Sequence, residues 1–305
     1  MMRKNDGTLW SWGRNDYGEL GQNNRTAYSS PMQIGTDTTW NSTTMGGSGY
    51  VLAHKTDGTL WAWGNGDAGA LGLNNQVKYS SPVQVGANTT WTAEIAAGEN
   101  GTIAVKTDGT LWSWGNYSYG QLAQNNESPY SSPKQVGTDT TWASVPRGTA
   151  YGNAFGAVKT DGTLWMWGMQ YNNGCFGNNN GGIQFASSPI QIGTDTTWKG
   201  ISMAGADEYI CSMWSKTDGT LWMAGRNREG RLGQGNNTDY SSPVQIPGTW
   251  NVTTPDNTFN VGGDSAGAIK TDGTLWTWGI NDQGWQMQNN TTKHSSPRQV
   301  GTNTD

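Results

Sequence analysis

The run Asp-Gly-Thr-Leu-Trp occurs six times in a chain of 305 residues, and no other feature constrains the fold as much. Its Asp-Gly pairs begin at Asp6, Asp57, Asp108, Asp161, Asp218 and Asp272, at intervals of 51, 51, 53, 57 and 54 residues. Two further markers keep the same order. Ser-Ser-Pro ends at Pro31, Pro82, Pro133, Pro189, Pro243 and Pro297. Thr-Trp closes five of the units, at Trp40, Trp91, Trp142, Trp198 and Trp250. A period of this size signals stacked supersecondary units.

Each unit reads as β. Ala157-Val158-Lys159-Thr160 is a short strand, and Asp161-Gly162 reads as a two-residue type I′ hairpin turn. The return strand Thr163-Leu164-Trp165-Met166-Trp167-Gly168 sets both Trp rings on one face and Leu164 and Met166 on the other. A strand that is apolar on both faces lies between two sheets. Ser-Ser-Pro then opens a short outer strand, where an edge tolerates Pro. That makes about four strands per unit, and no stretch has the 3.6 period of a helix. Radial stacking of such units protects the sheet edges. A linear solenoid would need polar capping repeats, and the terminal units here look like the middle ones. The reading is therefore all-β, a six-bladed β-propeller, with residues 1–305 as one propeller domain.

The composition fits. Charged residues are only 13%, whereas eighteen Trp and forty-five Gly are present. Indole rings can supply the core that aliphatic residues do not, at roughly 150–250 Å² buried per aromatic ring. Net charge is −5 and no Lys/Arg run occurs, so the phosphate-neutralising footprint of a nucleic-acid binder is missing. No nucleic-acid partner is expected. The N-terminal residues have no apolar stretch behind them, so neither a signal peptide nor membrane insertion is expected. Cys175 and Cys211 read as two buried thiols rather than a disulfide framework.

At residues 6–21 the run Asp-Gly-Thr-Leu-Trp-Ser-Trp-Gly-Arg-Asn-Asp-Tyr-Gly-Glu-Leu-Gly resembles the repeat of the regulator of chromosome condensation family, and the likeness recurs six times. The resemblance implies a propeller with a face that grips a protein partner. It carries little about which partner. Members of that family include an exchange factor for a small GTPase, ubiquitin-ligase modules and a plant ultraviolet receptor. This chain departs from the pattern in three ways. It shows six markers where most such propellers have seven blades. It lacks the His that often precedes the Asp-Gly strand, with Tyr50 or Gly101 there instead. It also has no Gly-Trp-Arg-His-Thr string of the photoreceptor kind.

The markers also predict an uneven ring. Fifteen residues separate Trp40 from Lys55, and only Met1-Met2-Arg3 precede Lys4. A blade shared between the N- and C-termini, short of about one strand, is expected. A partner's strand is the alternative way to fill it.

Residues suited to catalysis have simpler explanations. The repeated Asp residues belong to turn chemistry, and no calcium loop is present. His54 falls where sister units carry Val105, Val158 and Ile269, so it reads as a strand substitution. His294 lies in a polar loop. The Glu residues do not recur in register, as the paired carboxylates of a glycosidase would require. No catalytic residue, metal site or cofactor is expected. Function is assigned instead to residues that break the repeat in the loop after Trp-Gly, because loops on a rigid scaffold carry binding. These are Tyr17, Asp67, Tyr117, Tyr119, Tyr171, Arg226, Arg228 and Trp285, with Gln170 also divergent. Tyr, Trp and Arg are hot-spot residues. The resulting reading is a non-enzymatic recognition scaffold that holds a protein or glycan on its loop face, with a phage or bacterial surface component as the setting. A structural subunit of a larger assembly and a carbohydrate-active enzyme are the alternatives.

Overall fold

The six Leu-Trp-x-x-Gly strands each occupy the interior of an antiparallel sheet. The computed structural model describes residues 1–116, 118–146, 149–150, 154–171, 174–204, 210–252, 258–263 and 265–303. The chain groups into two compact units, Met1–Ala143 and Ser144–Asp305. Three sheets lie in the first unit. They are Met2–Arg3, Leu9–Gly13 and Tyr28–Gln33; Trp40–Gly46, Tyr50–Lys55, Leu60–Gly64 and Tyr79–Gln84; and Trp91–Gly98, Gly101–Lys106, Leu111–Gly115 and Tyr130–Gln135. The second unit also has three. They contain Ala154–Lys159, Leu164–Gln170 and Gln184–Gln191; Trp198–Ala204, Cys211–Lys216, Leu221–Gly225 and Tyr240–Ile246; and Phe259–Val261, Ser265–Ile269, Leu275–Gly279 and His294–Gln299. The strand Trp142–Ser144 stands at the division. This is the all-β, six-bladed propeller class, with about four strands per blade.

The sequence repeat and the blade are out of phase. Trp40, at the end of the first repeat, pairs with Lys55 of the second, and Trp91 pairs with Lys106 in the same way. Every Thr-Trp strand therefore opens the next blade. The pairing sets a lysine opposite the ring that precedes it. The Lys55 ammonium lies 4.6 Å from the Trp40 ring and 4.0 Å from that of Trp61. It also meets Asp37 at 2.5 Å. Lys216 repeats this with Trp198, Trp222 and Asp195. A cation over an indole is worth about 0.5–2 kcal/mol according to its desolvation.

The hairpins differ from the type I′ expectation. None of the repeated Asp residues has positive φ, whereas the following glycine always does, as in Gly58 at 81°. The Gly58 N–H donates to the Lys55 carbonyl and the Lys55 N–H to the Thr59 carbonyl. The loop is thus Thr56-Asp57-Gly58, three residues with a left-handed glycine. Aspartate serves it by accepting bonds at Oδ1 from the N–H and the hydroxyl of Thr59, at 2.9 and 2.7 Å. Glycine is needed for a second reason. A Cβ on Gly58 would lie 2.0 Å from the Thr89 carbonyl oxygen, and Trp91 N–H donates to the Gly58 carbonyl.

Adjacent blades within a unit are joined by one scheme. The second Trp of a blade donates its indole N–H to a carbonyl in the preceding blade's loop: Trp63 to Glu19, Trp114 to Ala70 and Trp278 to Arg231, at 2.9–3.0 Å. The Ser-Ser pair supplies another link. Asn23 N–H donates to the Ser80 carbonyl while Ser81 Oγ donates to Asn23 Oδ1. Asn74 with Ser131 and Ser132, and Asn179 with Ser241 and Ser242, do the same. The fifth blade has Ala224 in place of its second Trp. Trp214 on the neighbouring strand fills the space, 5.9 Å from Trp198, and Ser212 Oγ donates to the Cys175 carbonyl instead.

The first blade has three strands among the described residues, none of them from the C-terminal part of the chain. Among the described residues its sheet contains only Met2–Arg3, Leu9–Gly13 and Tyr28–Gln33, while His294–Gln299 pairs inside the sixth sheet. No Thr-Trp strand is among these three, and Trp12 is 40% exposed, whereas Trp63, Trp114, Trp167 and Trp278 are fully buried.

Two outcomes are expected. Gly58→Ala should lower stability by more than the about 1–3 kcal/mol of a non-glycine residue held left-handed, because the carbonyl clash adds to it; urea unfolding measures this. Asp195 is held at about 2, chiefly by the hydrogen bond from Lys216. Its folded value lies below the unfolded one, so its contribution is present above about pH 4 and lost as pH falls through about 2. Asp195→Asn should therefore destabilise at pH 5 and have little effect at pH 2, read from unfolding midpoints.

Candidate functional site

A buried amide builds the loop after the Leu-Trp-x-x-Gly strand in the first, fourth, fifth and sixth blades. Asn15 Nδ2 donates to the Asn24 and Thr26 carbonyls, and Asn15 Oδ1 accepts the Leu20 N–H. Asn227 and Asn281 hold their loops alike. Gln170 does this in the fourth blade, donating to Asn180 and Gly182 and accepting from Phe176 N–H. It is fully buried, so its divergence is structural, and it does not belong to a binding set. The longer side chain reaches across a longer loop.

The loop residues singled out from the sequence are distributed as follows. In the first unit, Tyr17 is half-buried and Asp67 exposed, and Lys78 ties them together. The Lys78 ammonium meets Asp67 at 2.9 Å and lies 5.0 Å from the Tyr17 ring. Arg14 approaches the same ring at 5.7 Å and pairs with Asp16. Two successive loops thus present one charged, aromatic patch. Tyr119 is 40% exposed, its N–H bonded to Gln121 Oε1. Tyr117 lies outside the described residues. In the second unit, Tyr171 and Arg226 are half-buried and Arg228 is exposed. Arg228 approaches Glu229 at 4.0 Å, and Lys293 bridges Glu229 and Asp282 at 3.3 and 3.4 Å. Trp285 is 53% exposed and Met287 57%.

Sequence reasoning missed Lys78, Glu229, Asp282, Lys293 and Met287. The signal for Met287 was present: it stands where Gly21, Gly72 and Gly233 receive the next blade's indole. The charged partners give no such signal, since their pairing depends on which loops become neighbours.

The first unit also holds a groove of about 350 Å³ beside the second and third blades. Tyr79, Trp91 and Trp112 give it aromatic walls, and Asn74, Asn75, Gln84 and Asn88 supply amides.

The titratable candidates sit in structural roles. His54 is buried, with Nε2 2.9 Å from the Trp91 carbonyl and Nδ1 3.3 Å from Asn41 Nδ2. Burial holds its pKa below the usual histidine value, against the opposing Trp91 hydrogen bond and Asp57 charge. Burial also drives the Cys175 thiol far upward, with the Cys211 charge adding to it, and both cysteines are free. Neither is set up as a nucleophile.

Several known proteins are similar to this chain. The Regulator of chromosome condensation (RCC1) repeat matches residues 6–49, 57–105, 108–148 and 218–254, more than half of the chain, and a second form of it matches 93–121. The ultraviolet-B receptor UVR8 of Arabidopsis thaliana is 26% identical over 309 residues, 95% of this chain and 65% of the receptor. The human E3 ubiquitin-protein ligase HERC2 is 26% identical over 261 residues, 83% of this chain. This chain spans only 5% of that ligase. Human protein RCC2 is 32% identical over 127 residues, covering 41% of this chain and 24% of RCC2. Among solved structures, human WBSCR16 superposes with a TM-score of 0.79 at 20% identity, over 99% of this chain and 78% of that one. Prp20p from Saccharomyces cerevisiae gives 0.76 at 17%, over 98% and 74%. Identities this low show a common fold.

The His54 geometry yields a pH dependence. The folded imidazole takes up a proton less readily than the unfolded one, so stability falls as pH drops below about 6.5. His54→Val, the sister residue, should reduce the loss between pH 7.5 and pH 5.5 in urea unfolding.

Proposed function

This chain belongs to the regulator of chromosome condensation (RCC1) repeat family, and we propose that it is a protein-binding scaffold that grips its partner through the loops following each Trp-Gly pair. The observation that carries this reading is the contrast between repeated and unrepeated residues. Side chains that recur in most blades, such as Trp63, Trp114 and Trp278, are fully buried; Trp285, which does not recur, is large and exposed. Exposed aromatics and arginines on loops of a rigid scaffold have the chemistry of binding hot spots. Each unit offers its own candidate contact residues: Tyr17, Asp67 and Tyr119 in the first, with Tyr117 a further candidate, and Tyr171, Arg226, Arg228 and Trp285 in the second. The binding of Prp20p to Gsp1p and histones gives the reading a precedent on the same fold. No catalytic step is assigned.

Two finer readings accompany it. A glycan is the second ligand class, favoured by the amides and aromatic rings of the groove at Tyr79 and Trp112. A partner strand added beside Met2–Arg3 is favoured by the exposure of both residues at a sheet edge.

A photo-crosslinking amino acid tests the loop reading. Placed at Tyr17 or Tyr119 in the first unit, or at Trp285 in the second, it should capture a protein from the source cell. Placed at the exposed turn residues Thr36 or Thr194, it should not. Arg228→Ala and Trp285→Ala should each weaken capture about tenfold, the loss of roughly 1.4 kcal/mol expected at a hot spot. Equal capture from the turn positions, or capture indifferent to both variants, would rule the loops out.

A further inference from the structure

The groove of the first unit lies where two residues break the repeat together. In the first, third, fifth and sixth blades a glutamine covers the outer strand. Gln22, Gln124, Gln234 and Gln288 donate from Nε2 to the carbonyls of Gln33, Gln135, Gln245 and Gln299, at 3.0–3.2 Å. The second blade has Leu73 at that place. Leucine cannot donate, and no side chain among the described residues reaches the corresponding carbonyl, that of Gln84. Gln84 stands opposite Trp61, and the next residue, Val85, donates its N–H to the Leu60 carbonyl. The Gln84 carbonyl therefore faces outward from the edge of the sheet.

The second change is a lost charge. The turns before Trp40, Trp142 and Trp198 read Gly-Thr-Asp-Thr-Thr, with Asp37, Asp139 and Asp195 at the centre. The turn before Trp91 reads Gly86-Ala87-Asn88-Thr89-Thr90, so a neutral amide replaces the carboxylate.

Both changes border the same space. Leu73, Gln84 and Asn88 line the groove of about 350 Å³, against the rings of Tyr79, Trp91 and Trp112. No acidic or basic side chain lines it. Its polar groups are neutral and still have capacity. The side-chain amides of Gln84 and Asn88 make no hydrogen bond among the described residues. Asn74 accepts from Ser132 Oγ at 3.0 Å through Oδ1, which leaves its Nδ2 to donate.

This lining discriminates between ligands. A charged molecule would give up hydration and meet no counter-charge. A wholly apolar one would cover the amides and the Gln84 carbonyl and leave them unpaired. An added peptide strand needs a row of edge donors, and Pro82 interrupts that row within Tyr79–Gln84. A pyranose satisfies both halves of the wall. Its hydroxyls donate to the carbonyl and accept from the amide N–H groups, while its C–H face covers a ring whose π surface is negative.

We propose that the groove is a site for a neutral pyranose, one or two rings long, oriented by the carbonyl that Leu73 leaves open. Its volume stands at the lower end of the about 300–1,000 Å³ usual for small-ligand sites. The inference rests on the glycan reading above and narrows it to an uncharged sugar.

The indole N–H of Trp112, which donates to Thr110 Oγ1 at 2.8 Å, is the reporter. Cellobiose, maltose, lactose and mannobiose are titrated into the whole chain, and at least one should shift its NMR resonance saturably. Digalacturonate and the cationic disaccharide of chitosan should not. Leu73→Gln restores the amide of the sister blades, so it should leave Tm near that of the parent and weaken sugar binding about tenfold. Gln84→Ala should weaken binding as well, and it decides the matter if Leu73→Gln folds poorly. Trp285→Ala should leave sugar binding intact. Sugar binding that neither Leu73→Gln nor Gln84→Ala weakens overturns the proposal. Saturation by the charged sugars alone overturns it too, and leaves the glycan reading standing. Silence of every sugar, neutral and charged, overturns both.

Discussion

The joints between blades depend on an indole N–H finding a carbonyl. At Trp63, Trp114 and Trp278 that carbonyl belongs to the preceding blade's loop, at Glu19, Ala70 and Arg231. A fully buried indole needs a partner for its one donor, so the ring fixes the loop as firmly as the loop fixes the ring. The glycines at 21, 72 and 233 follow from this. A Cβ there would stand 2.7–3.0 Å from the indole nitrogen. The bond is made by the backbone, so the residue type at the carbonyl position varies, as Glu19, Ala70, Cys175 and Arg231, although all four are buried.

Scaffold and surface separate within single loops. In four blades the loop backbone is held by Asn15, Gln170, Asn227 or Asn281, which leaves other side chains of the loop for other work. Tyr17, Lys78 and Asp67 show the outcome in the first unit, and Glu229, Lys293 and Asp282 in the second. Neither patch repeats elsewhere along the chain, although the frames beneath them do.

Much of the fold was legible because the markers are local. Period, strand direction and the two-sided Leu-Trp strands all followed from residues within one repeat. The hairpin was misread in detail. Asp-Gly permits more than one turn, and the choice was made by the Thr59 bonds and by the close approach of Thr89. Gln170 was placed among the variable residues because its type differs, whereas its role is the same as that of Asn15. Trp214 went unnoticed because it substitutes from the adjacent strand, out of register with the tryptophans it replaces. The candidate patches were visible only as single residues. Lys78, which joins Tyr17 to Asp67, sits in a polar stretch with no pattern to mark it.

The phase offset between repeat and blade has a consequence for how such a chain can change length. Trp40 completes a sheet whose other strands come from the next repeat, and Trp91 does so again. Deleting or inserting one whole repeat would then keep the pairing scheme at each remaining seam, since each repeat brings three strands of one blade and the first strand of the next. Cutting between blades would instead sever a hairpin from its Lys and Asp partners. The inherited segment is a hinge pin, and the visible blade is only what two successive pins hold between them.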